Sequence, residues 1–246
     1  MKKSTRVLIL VLTLGGMVTA ASIATAADGE TQASNGTATG RDLYVQRCST
    51  CHGLDGTGDI GPSLHGVGAA SADFQLRTGR MPLAEVGARP GRKPTPFTAD
   101  QISALTAYVA SLGPGPAVPV VDINTADLPR GGELFRTNCA SCHGSAARGG
   151  ALSNGLSAPN LYDATPVEVV EAMRTGPSQM PIFDEDHISP ADADSIARYV
   201  IFLQTEPDPG GFGLGRIGPV PEGIVAWAFG LGVVILAAVF IERGSR

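Results

Sequence analysis

Apolar residues run without a charge at both ends of the chain, whereas its middle alternates short amphipathic stretches with loops rich in Gly and Pro. Residues 7–27 and residues 223–241 contain no charged side chain. About 20 apolar residues form a helix long enough to cross a bilayer. This pattern predicts one or two membrane segments on either side of a folded region.

The N-terminal apolar run has the features of an export signal. It follows Lys2, Lys3 and Arg6 and ends in small residues at positions 24–26, which are typical of a cleavage site. The run is longer than the usual core of about 7–15 residues, so it can also remain as an anchor. We interpret residues 1–27 as a signal or N-terminal membrane segment and residues 28–39 as a linker. Both alternatives place the following residues outside the cytoplasm.

The C-terminal run is interpreted as a transmembrane helix over residues 223–241. Arg243 and Arg246 follow it, and basic residues beyond a membrane helix indicate the cytoplasmic side. A buried helix of a soluble domain is the alternative. A Gly/Pro-rich linker over residues 207–222 precedes the run. The expected location is the cell membrane, with the folded region on the extracytoplasmic side.

The folded region is an internal duplication. Four apolar positions near the end of its first half recur 91 residues later, at helical spacing: Leu105, Tyr108, Val109 and Leu112 match Ile196, Tyr199, Val200 and Leu203. Each half opens and closes with an amphipathic helix, and the closing helices are expected to start at Thr98 and Ser189. The sequence predicts an all-α fold of two tandem domains, residues 40–115 and 128–206, joined by a linker over 116–127.

All four cysteines lie in two Cys-x-x-Cys-His motifs, one in each half. In this motif each Cys forms a thioether to a haem vinyl group and the His ligates iron. The cysteines are Cys48 and Cys51 with His52, and Cys139 and Cys142 with His143. A zinc site, a redox dithiol and disulfides are the alternatives, but none of them explains a His at this position in both copies. We predict two covalently bound c-type haems.

A methionine in each half is a candidate for the second axial ligand. Met81 and Met180 each stand before a Pro and after an Arg-Thr-Gly phrase. A thioether opposite His raises the reduction potential of a haem. A buried structural role is the alternative for both. Three other side chains compete for the same positions: His65 in the first half, and Met173 and His187 in the second.

Two prolines are expected to orient the histidines. A ligating imidazole generally donates its other N–H to a carbonyl, which fixes the ring and tunes the metal. Pro62 and Pro159 each begin a Pro-x-Leu phrase between the motif and the methionine. We assign them to this supporting role, with an ordinary turn proline as the alternative.

Composition and charge narrow the function further. Aromatic residues make up only 5 % of the chain, so a bound haem would supply apolar bulk that the side chains lack. Residues 40–115 hold 7 basic and 6 acidic side chains, whereas residues 128–206 hold 5 and 10. This asymmetry could steer different partners to the two halves, although a solvated acidic surface is an equal alternative. No feature indicates nucleic-acid binding.

The ordered motifs resemble class I cytochrome c. The resemblance rests on the opening helix, Cys-x-x-Cys-His, Pro-x-Leu, Met-Pro and the closing aromatic helix, which occur twice in this order. It implies that Gly40 and Tyr44, like Gly131 and Phe135, pack the first helix of each domain across the last. The second half departs from the family at Ala158, where Gly usually precedes the Pro.

The whole arrangement resembles the di-haem cytochrome c subunits of actinobacterial menaquinol–cytochrome c reductases, the cytochrome bc complexes. This resemblance implies an electron-transfer subunit of a translocase. The implied partners are a Rieske iron–sulfur protein, a cytochrome b subunit and a terminal cytochrome c oxidase in a supercomplex. No substrate chemistry and no catalytic residue are expected in this chain alone.

Other functions stay open on the sequence alone. A stand-alone, membrane-anchored di-haem electron carrier, or a cytochrome domain serving an oxidase directly, has the same motifs. A di-haem peroxidase would need one iron with a displaceable ligand, whereas both halves offer a methionine. A haem sensor would need a signalling domain, and the sequence contains no pattern typical of one.

The motifs predict a haem content that can be measured. The purified protein should carry two haems per chain that survive denaturation, because thioether bonds are covalent. The double substitution Cys139→Ala/Cys142→Ala should lower the haem content to one per chain, as should Cys48→Ala/Cys51→Ala. Intact-protein mass spectrometry measures both. Haem released from the wild-type chain by denaturant would contradict the prediction.

Overall fold

The computed structural model describes residues 39–206 and 219–244. The predicted N-terminal segment and most of the two linkers at 28–39 and 207–222 lie outside these residues. The described backbone belongs to two compact units. The first contains the residues up to Pro119 together with Arg174–Pro181, and the second contains Val120–Met173 and the residues from Ile182 onward. The domain boundaries expected from the sequence stay predictions.

Helices account for nearly all the regular structure of the described residues, which confirms the all-α class. The helices are α1 (39–47), α2 (Ser49–His52), α3 (Gly68–Arg77), α4 (Ala99–Ser111), α5 (Leu128–Asn138), α6 (Ala140–His143), α7 (Pro166–Thr175), α8 (Pro190–Thr205) and α9 (Pro219–Gly244). Strands β1 (Gly150–Ala151) and β2 (Ser157–Ala158) form a small antiparallel hairpin in which Gly150 pairs with Ala158.

The closing helices α4 and α8 begin where the sequence predicts. The Thr98 hydroxyl accepts a hydrogen bond from the Gln101 N–H, and the Gln101 side chain accepts one from the Thr98 N–H. This capping box satisfies two backbone donors that a helix start leaves without partners. The Ser189 hydroxyl accepts from the Asp192 N–H, and Pro190 occupies the first turn. Local polar side chains therefore fix both starts.

Glycine brings the opening and closing helices of each unit into backbone contact. A Cβ atom on Gly40 would lie 2.0 Å from the carbonyl oxygen of Ala104, and one on Gly131 would lie 1.9 Å from that of Ser195. No side chain fits at either distance. Aromatic rings pack beside each crossing: Tyr44 on Tyr108 at 4.9 Å, and Phe135 on Tyr199 at 5.5 Å between centroids. This packing is the one that the resemblance implied.

The duplication carries insertions at different places in its two halves. Cys48 and Cys139 are 91 residues apart, whereas Pro62 and Pro159 are 97 apart. The second half therefore gains six residues between motif and proline, and the β1–β2 hairpin lies in this longer segment. Thr98 and Ser189 are again 91 apart. The second half gains two more residues between proline and methionine, since Met81 and Met180 are 99 apart. The first half recovers these eight residues in a longer loop, residues 83–97, between Met81-Pro82 and α4.

The segment predicted as a linker over residues 116–127 makes hydrogen bonds near both of its ends. The Ala70 N–H at the start of α3 donates to the Pro116 carbonyl (3.0 Å), so residues up to 116 pack within the first unit. In the second unit the Asp122 N–H donates to the Asp194 carboxylate (3.3 Å). The Asp127 N–H donates to the Ser195 hydroxyl (3.1 Å). Hydrogen bonds therefore hold both ends of the predicted linker.

Helix α9 has the length and surface of a membrane-spanning helix. Its stretch Glu222–Gly244 has 23 residues, or about 34 Å of helix at the usual rise, against a bilayer core of about 30 Å. Its large apolar side chains are exposed, including Trp227 at 70 % and Phe240 at 80 %. The alternative of a buried helix in a soluble domain has no support, because none of the apolar stretch is buried.

The helix crossing generates a stability prediction. Gly40→Ala should lower the free energy of unfolding of the first unit by about 2–3 kcal/mol, because the new methyl group overlaps the Ala104 carbonyl. Gly91→Ala is the matched control, since a Cβ there meets no atom within 4 Å. Thermal unfolding of the detergent-solubilised protein, followed by circular dichroism, compares the two. Equal midpoints would refute the crossing geometry.

Candidate haem-binding sites

Each Cys-x-x-Cys-His motif forms one tight helical turn directly after an opening helix. The N–H groups of Cys51 and His52 both donate to the Cys48 carbonyl, at 3.1 and 3.0 Å. The second motif repeats this turn around the Cys139 carbonyl, at 3.1 and 2.9 Å. The cysteines are not joined in disulfides. The turn therefore presents two thiols and one imidazole close together in each unit.

Backbone hydrogen bonds fix each histidine ring. Nδ1 of His52 lies 2.8 Å from the Pro62 carbonyl oxygen, and Nδ1 of His143 lies 3.0 Å from that of Pro159. A carbonyl can only accept, so each Nδ1 carries the proton and each Nε2 keeps a free lone pair for a metal. These are the contacts that the sequence analysis expected of the two prolines. The ligand roles of the histidines stay predictions.

The segment next to the proline can lie close to the motif turn only if a small residue stands at the contact. The two halves place this small residue at different positions. A Cβ on Gly61 would lie 2.9 Å from Cε1 of His52. In the second half Ala158 occupies the matching position before the proline, and the close approach is made instead by Gly150, where a Cβ would lie 2.7 Å from the Cys142 carbonyl. The inserted hairpin thus explains how Ala158 is tolerated.

Burial sets the protonation of the thiols. Burial raises the pKa of Cys48 and of Cys139 to about 11, with a smaller contribution from Cys51 and Cys142 respectively. A reactive redox dithiol has a lowered thiol pKa. Cys48 and Cys139 have the opposite environment.

The two histidines differ in exposure. His143 is 8 % exposed, and burial lowers its pKa below the ordinary value, although the hydrogen bond to Pro159 acts in the opposite direction. His52 is only partly buried. A lowered pKa keeps the imidazole neutral, which is the form that binds a metal.

Met81 lies on the same apolar cluster as the first motif. Met81, Cys48 and Leu64 all pack against a buried core formed by Tyr44, Leu76, Ile102, Leu105 and Tyr108. The Met81 N–H donates to the Gln75 carbonyl at the end of α3 (3.0 Å). The first unit therefore places one thiol of the motif and a thioether on the same apolar cluster, and this set of groups, with the adjacent Cys51 and His52 of the motif turn, fits a c-type haem.

Met180 has fewer described contacts with the motif of its own half than Met81 has. It is half-buried, and its N–H donates to the Pro177 carbonyl (3.1 Å) in a turn after α7. It belongs to the segment Arg174–Pro181, which groups with the first unit. The described contacts do not join it to His143, so its assignment stays a prediction.

Two sequence comparisons agree with this geometry. Residues 37–113 match the family model for cytochrome c, and residues 126–200 match that for subunit III of cbb3-type cytochrome c oxidase. The chain is 42 % identical to the cytochrome bc1 complex cytochrome c subunit of Corynebacterium efficiens, over 85 % of this chain and 76 % of that protein. It is 43 % identical to the subunit of that name from Mycobacterium tuberculosis, over 84 % and 78 %.

The chain belongs to the family of cytochrome bc1 complex cytochrome c subunits. Its two cytochrome c domains imply covalently bound c-type haem, and each matched segment contains one Cys-x-x-Cys-His motif. The names of these relatives confirm the resemblance to cytochrome bc complex subunits that the sequence motifs suggested. Cbb3-type oxidase subunits are more distant relatives: the FixP subunit of Sinorhizobium medicae is 31 % identical over 51 % of this chain.

The competing ligands have other contacts in the structure. Nε2 of His65 lies 2.8 Å from the Asp55 carbonyl oxygen. His187 is exposed and pairs with Asp184 at 2.6 Å, which raises the histidine pKa. Met173 is 1 % exposed in α7. Each contact accounts for its side chain without a metal.

Tyr44, expected only to pack between helices, also makes a hydrogen bond that the sequence did not predict. The Tyr44 hydroxyl donates to the Gly53 carbonyl at the end of the first motif (2.7 Å). It thereby joins the buried face of α1 to the turn that carries His52. Phe135 holds the matching position in the second unit and has no hydroxyl to make this bond. The difference between Tyr44 and Phe135 at matching positions was the sequence signal that could have predicted this hydrogen bond.

Ring orientation generates a redox prediction. Gly61→Ala should push the His52 ring away from the Pro62 carbonyl, and a weaker hydrogen bond makes the imidazole a poorer donor to ferric iron. We expect the midpoint potential of one haem to rise by about 20–60 mV. Ala158→Gly is the control and should leave both potentials nearly unchanged, because Gly150 makes the close approach there. Spectroelectrochemical titration measures them. A fall in potential, or an equal shift in the control, would contradict the expectation.

Proposed function

We propose that the chain holds two c-type haems, one in each half, with a histidine and a methionine as axial ligands. The thioether bonds would involve Cys48, Cys51, Cys139 and Cys142, and the axial pairs would be His52 with Met81 and His143 with Met180. What supports this is the repeated geometry of the two turns, in which the backbone hydrogen bonds and the distance from the imidazole to the proline carbonyl match.

We further propose that the chain is the electron-transfer subunit of a menaquinol–cytochrome c reductase, a translocase complex of the cytochrome bc type. It would pass electrons from a Rieske iron–sulfur protein to a terminal cytochrome c oxidase and would assemble with a cytochrome b subunit. The observation that carries this proposal is the 42 % identity to a cytochrome bc1 complex cytochrome c subunit over most of both chains.

The chain's own residues make such transfer fast by holding each site rigid. A haem bound in this way supplies a one-electron couple, and its axial ligands and burial set the potential. The proline carbonyls keep the imidazoles in one orientation, and the helix crossings at Gly40 and Gly131 hold the apolar clusters together. Preorganised surroundings keep the structural change on electron transfer small.

Helix α9 would anchor the subunit in the cell membrane beside its partners. In the proposed topology Arg243 lies on the cytoplasmic side and both haem domains lie on the extracytoplasmic side. The nearly balanced charge of residues 40–115 and the acidic excess of residues 128–206 favour different partners for the two halves. The first haem would face the iron–sulfur protein, and the second the oxidase.

A second candidate is a cytochrome that serves an oxidase directly, as an anchored carrier without a quinol-oxidising partner. The observation that favours it is the match of residues 126–200 to a cbb3-type oxidase subunit model. Identity to two such subunits is 31–32 %, over shorter parts of the chain than in the bc1 relatives. The partners therefore decide between the two functions.

The experiment is a purification of the tagged full-length chain from native membranes in mild detergent. We expect b-type and c-type haem together in a reduced-minus-oxidised spectrum, with a Rieske protein and a cytochrome b among the co-purifying chains. Oxidase subunits in the same preparation would indicate that the reductase and the oxidase form a supercomplex. The chain alone, with c-type haem only, would refute the reductase assignment and leave the anchored carrier.

Two matched variants test the order of transfer in that preparation. Cys48→Ala/Cys51→Ala should leave the second haem oxidised after quinol is added, because the electron cannot reach it. Cys139→Ala/Cys142→Ala should leave the first haem reducible by quinol but abolish oxygen consumption. Stopped-flow spectroscopy follows the c-type haem in both. Reduction of the remaining haem at wild-type rate in both variants would refute serial transfer.

A further inference from the structure

The long loop of the first half returns to the segment that carries Met81. The Lys93 N–H donates to the Thr78 carbonyl (3.1 Å). Gly79 has a φ of +65°, and a Cβ on it would lie 2.0 Å from the Lys93 carbonyl oxygen. The backbone of Lys93 is therefore in close contact with the residues that precede Met81.

The Lys93 side chain reaches the residue that follows Met81. Its Nζ donates to the Pro82 carbonyl oxygen at 2.7 Å. One residue thus bonds the chain on both sides of the methionine, at Thr78 through its backbone and at Pro82 through its ammonium group. Lys2 and Lys3 are the only other lysines in the sequence.

The second half has a different arrangement after its methionine. Only seven residues separate Pro181 from Ser189, against fifteen between Pro82 and Thr98. There the return contact is made by the backbone, since the Phe183 N–H donates to the Met173 carbonyl (2.8 Å). The lysine contact therefore belongs to the loop that only the first half contains.

We propose that Lys93 is a positioning residue that holds Met81 in place as the axial ligand of the first haem. The inference rests on the proposed ligation by Met81. An external ligand can reach the iron only after the Met81 segment moves away, and this movement must break the hydrogen bond between Lys93 and Pro82. Lys93 therefore lowers the population of the open state, and the apparent affinity for an external ligand falls in proportion.

The test is a titration of the oxidised, detergent-solubilised full-length protein with imidazole. Lys93→Met keeps the aliphatic stem and removes the ammonium donor. Because Lys93 is exposed, we expect imidazole to bind the first haem about two- to fivefold more tightly, the change that loss of one hydrogen bond in the lower part of the ordinary range produces. The absorption band of sulfur-ligated ferric haem should be present at the start and disappear at correspondingly lower imidazole concentration. The second haem is the internal reference and should be unchanged.

Two further variants separate the explanations. Lys93→Arg keeps a charged donor and should restore wild-type behaviour. Met81→Ala assigns the first haem, because it should remove one of the two sulfur-ligand bands.

Two results would overturn the proposal on different grounds. Equal affinities in Lys93→Met and wild type would show that the hydrogen bond does not restrain Met81. Two intact sulfur-ligand bands in Met81→Ala would show instead that Met81 is not the ligand, which refutes the proposed ligation itself.

Discussion

The hydrogen bond between each motif histidine and a proline carbonyl is the contact around which both halves are organised. It joins two segments that are distant along the chain, the Cys-x-x-Cys-His turn and the Pro-x-Leu phrase, at 2.8 and 3.0 Å. For the bond to form, the turn must end in a glycine with positive φ, at Gly53 and Gly144. A small residue must also let the proline segment approach. The opening and closing helices of each half, which cross at Gly40 and Gly131, pack around these two segments.

The duplication preserves this arrangement while its loops differ. Six extra residues stand before the proline in the second half, and the longer loop after the methionine stands in the first. Neither insertion lies within the motif, the proline phrase or the helix crossing. The parts that fix the histidine are therefore common to both halves. The loop that contacts the methionine segment belongs to the first half, and the hairpin that packs against the motif turn belongs to the second.

Much of this structure could be predicted from the sequence because its signals are local. The helix starts at Thr98 and Ser189 follow from capping side chains, and the turn geometry follows from the motif. The proline contacts follow from the general need of a ligating imidazole for a second hydrogen bond. The glycine at 150 that replaces the role of Gly61 could not be predicted, because a six-residue insertion breaks the alignment between the halves. The Lys93 contact could not be predicted either, since it joins residues of a loop without periodicity.

The hairpin of the second half gives the duplicated sites different surroundings. It packs against the turn that carries His143, and that histidine is nearly buried, whereas His52 is not. A less polar environment disfavours the more highly charged, oxidised state of an iron centre. With the proposed axial ligands, the first haem would therefore have the lower potential and the second haem the higher one. Electrons would then move from the first haem to the second, and the insertion in the second half would favour this direction.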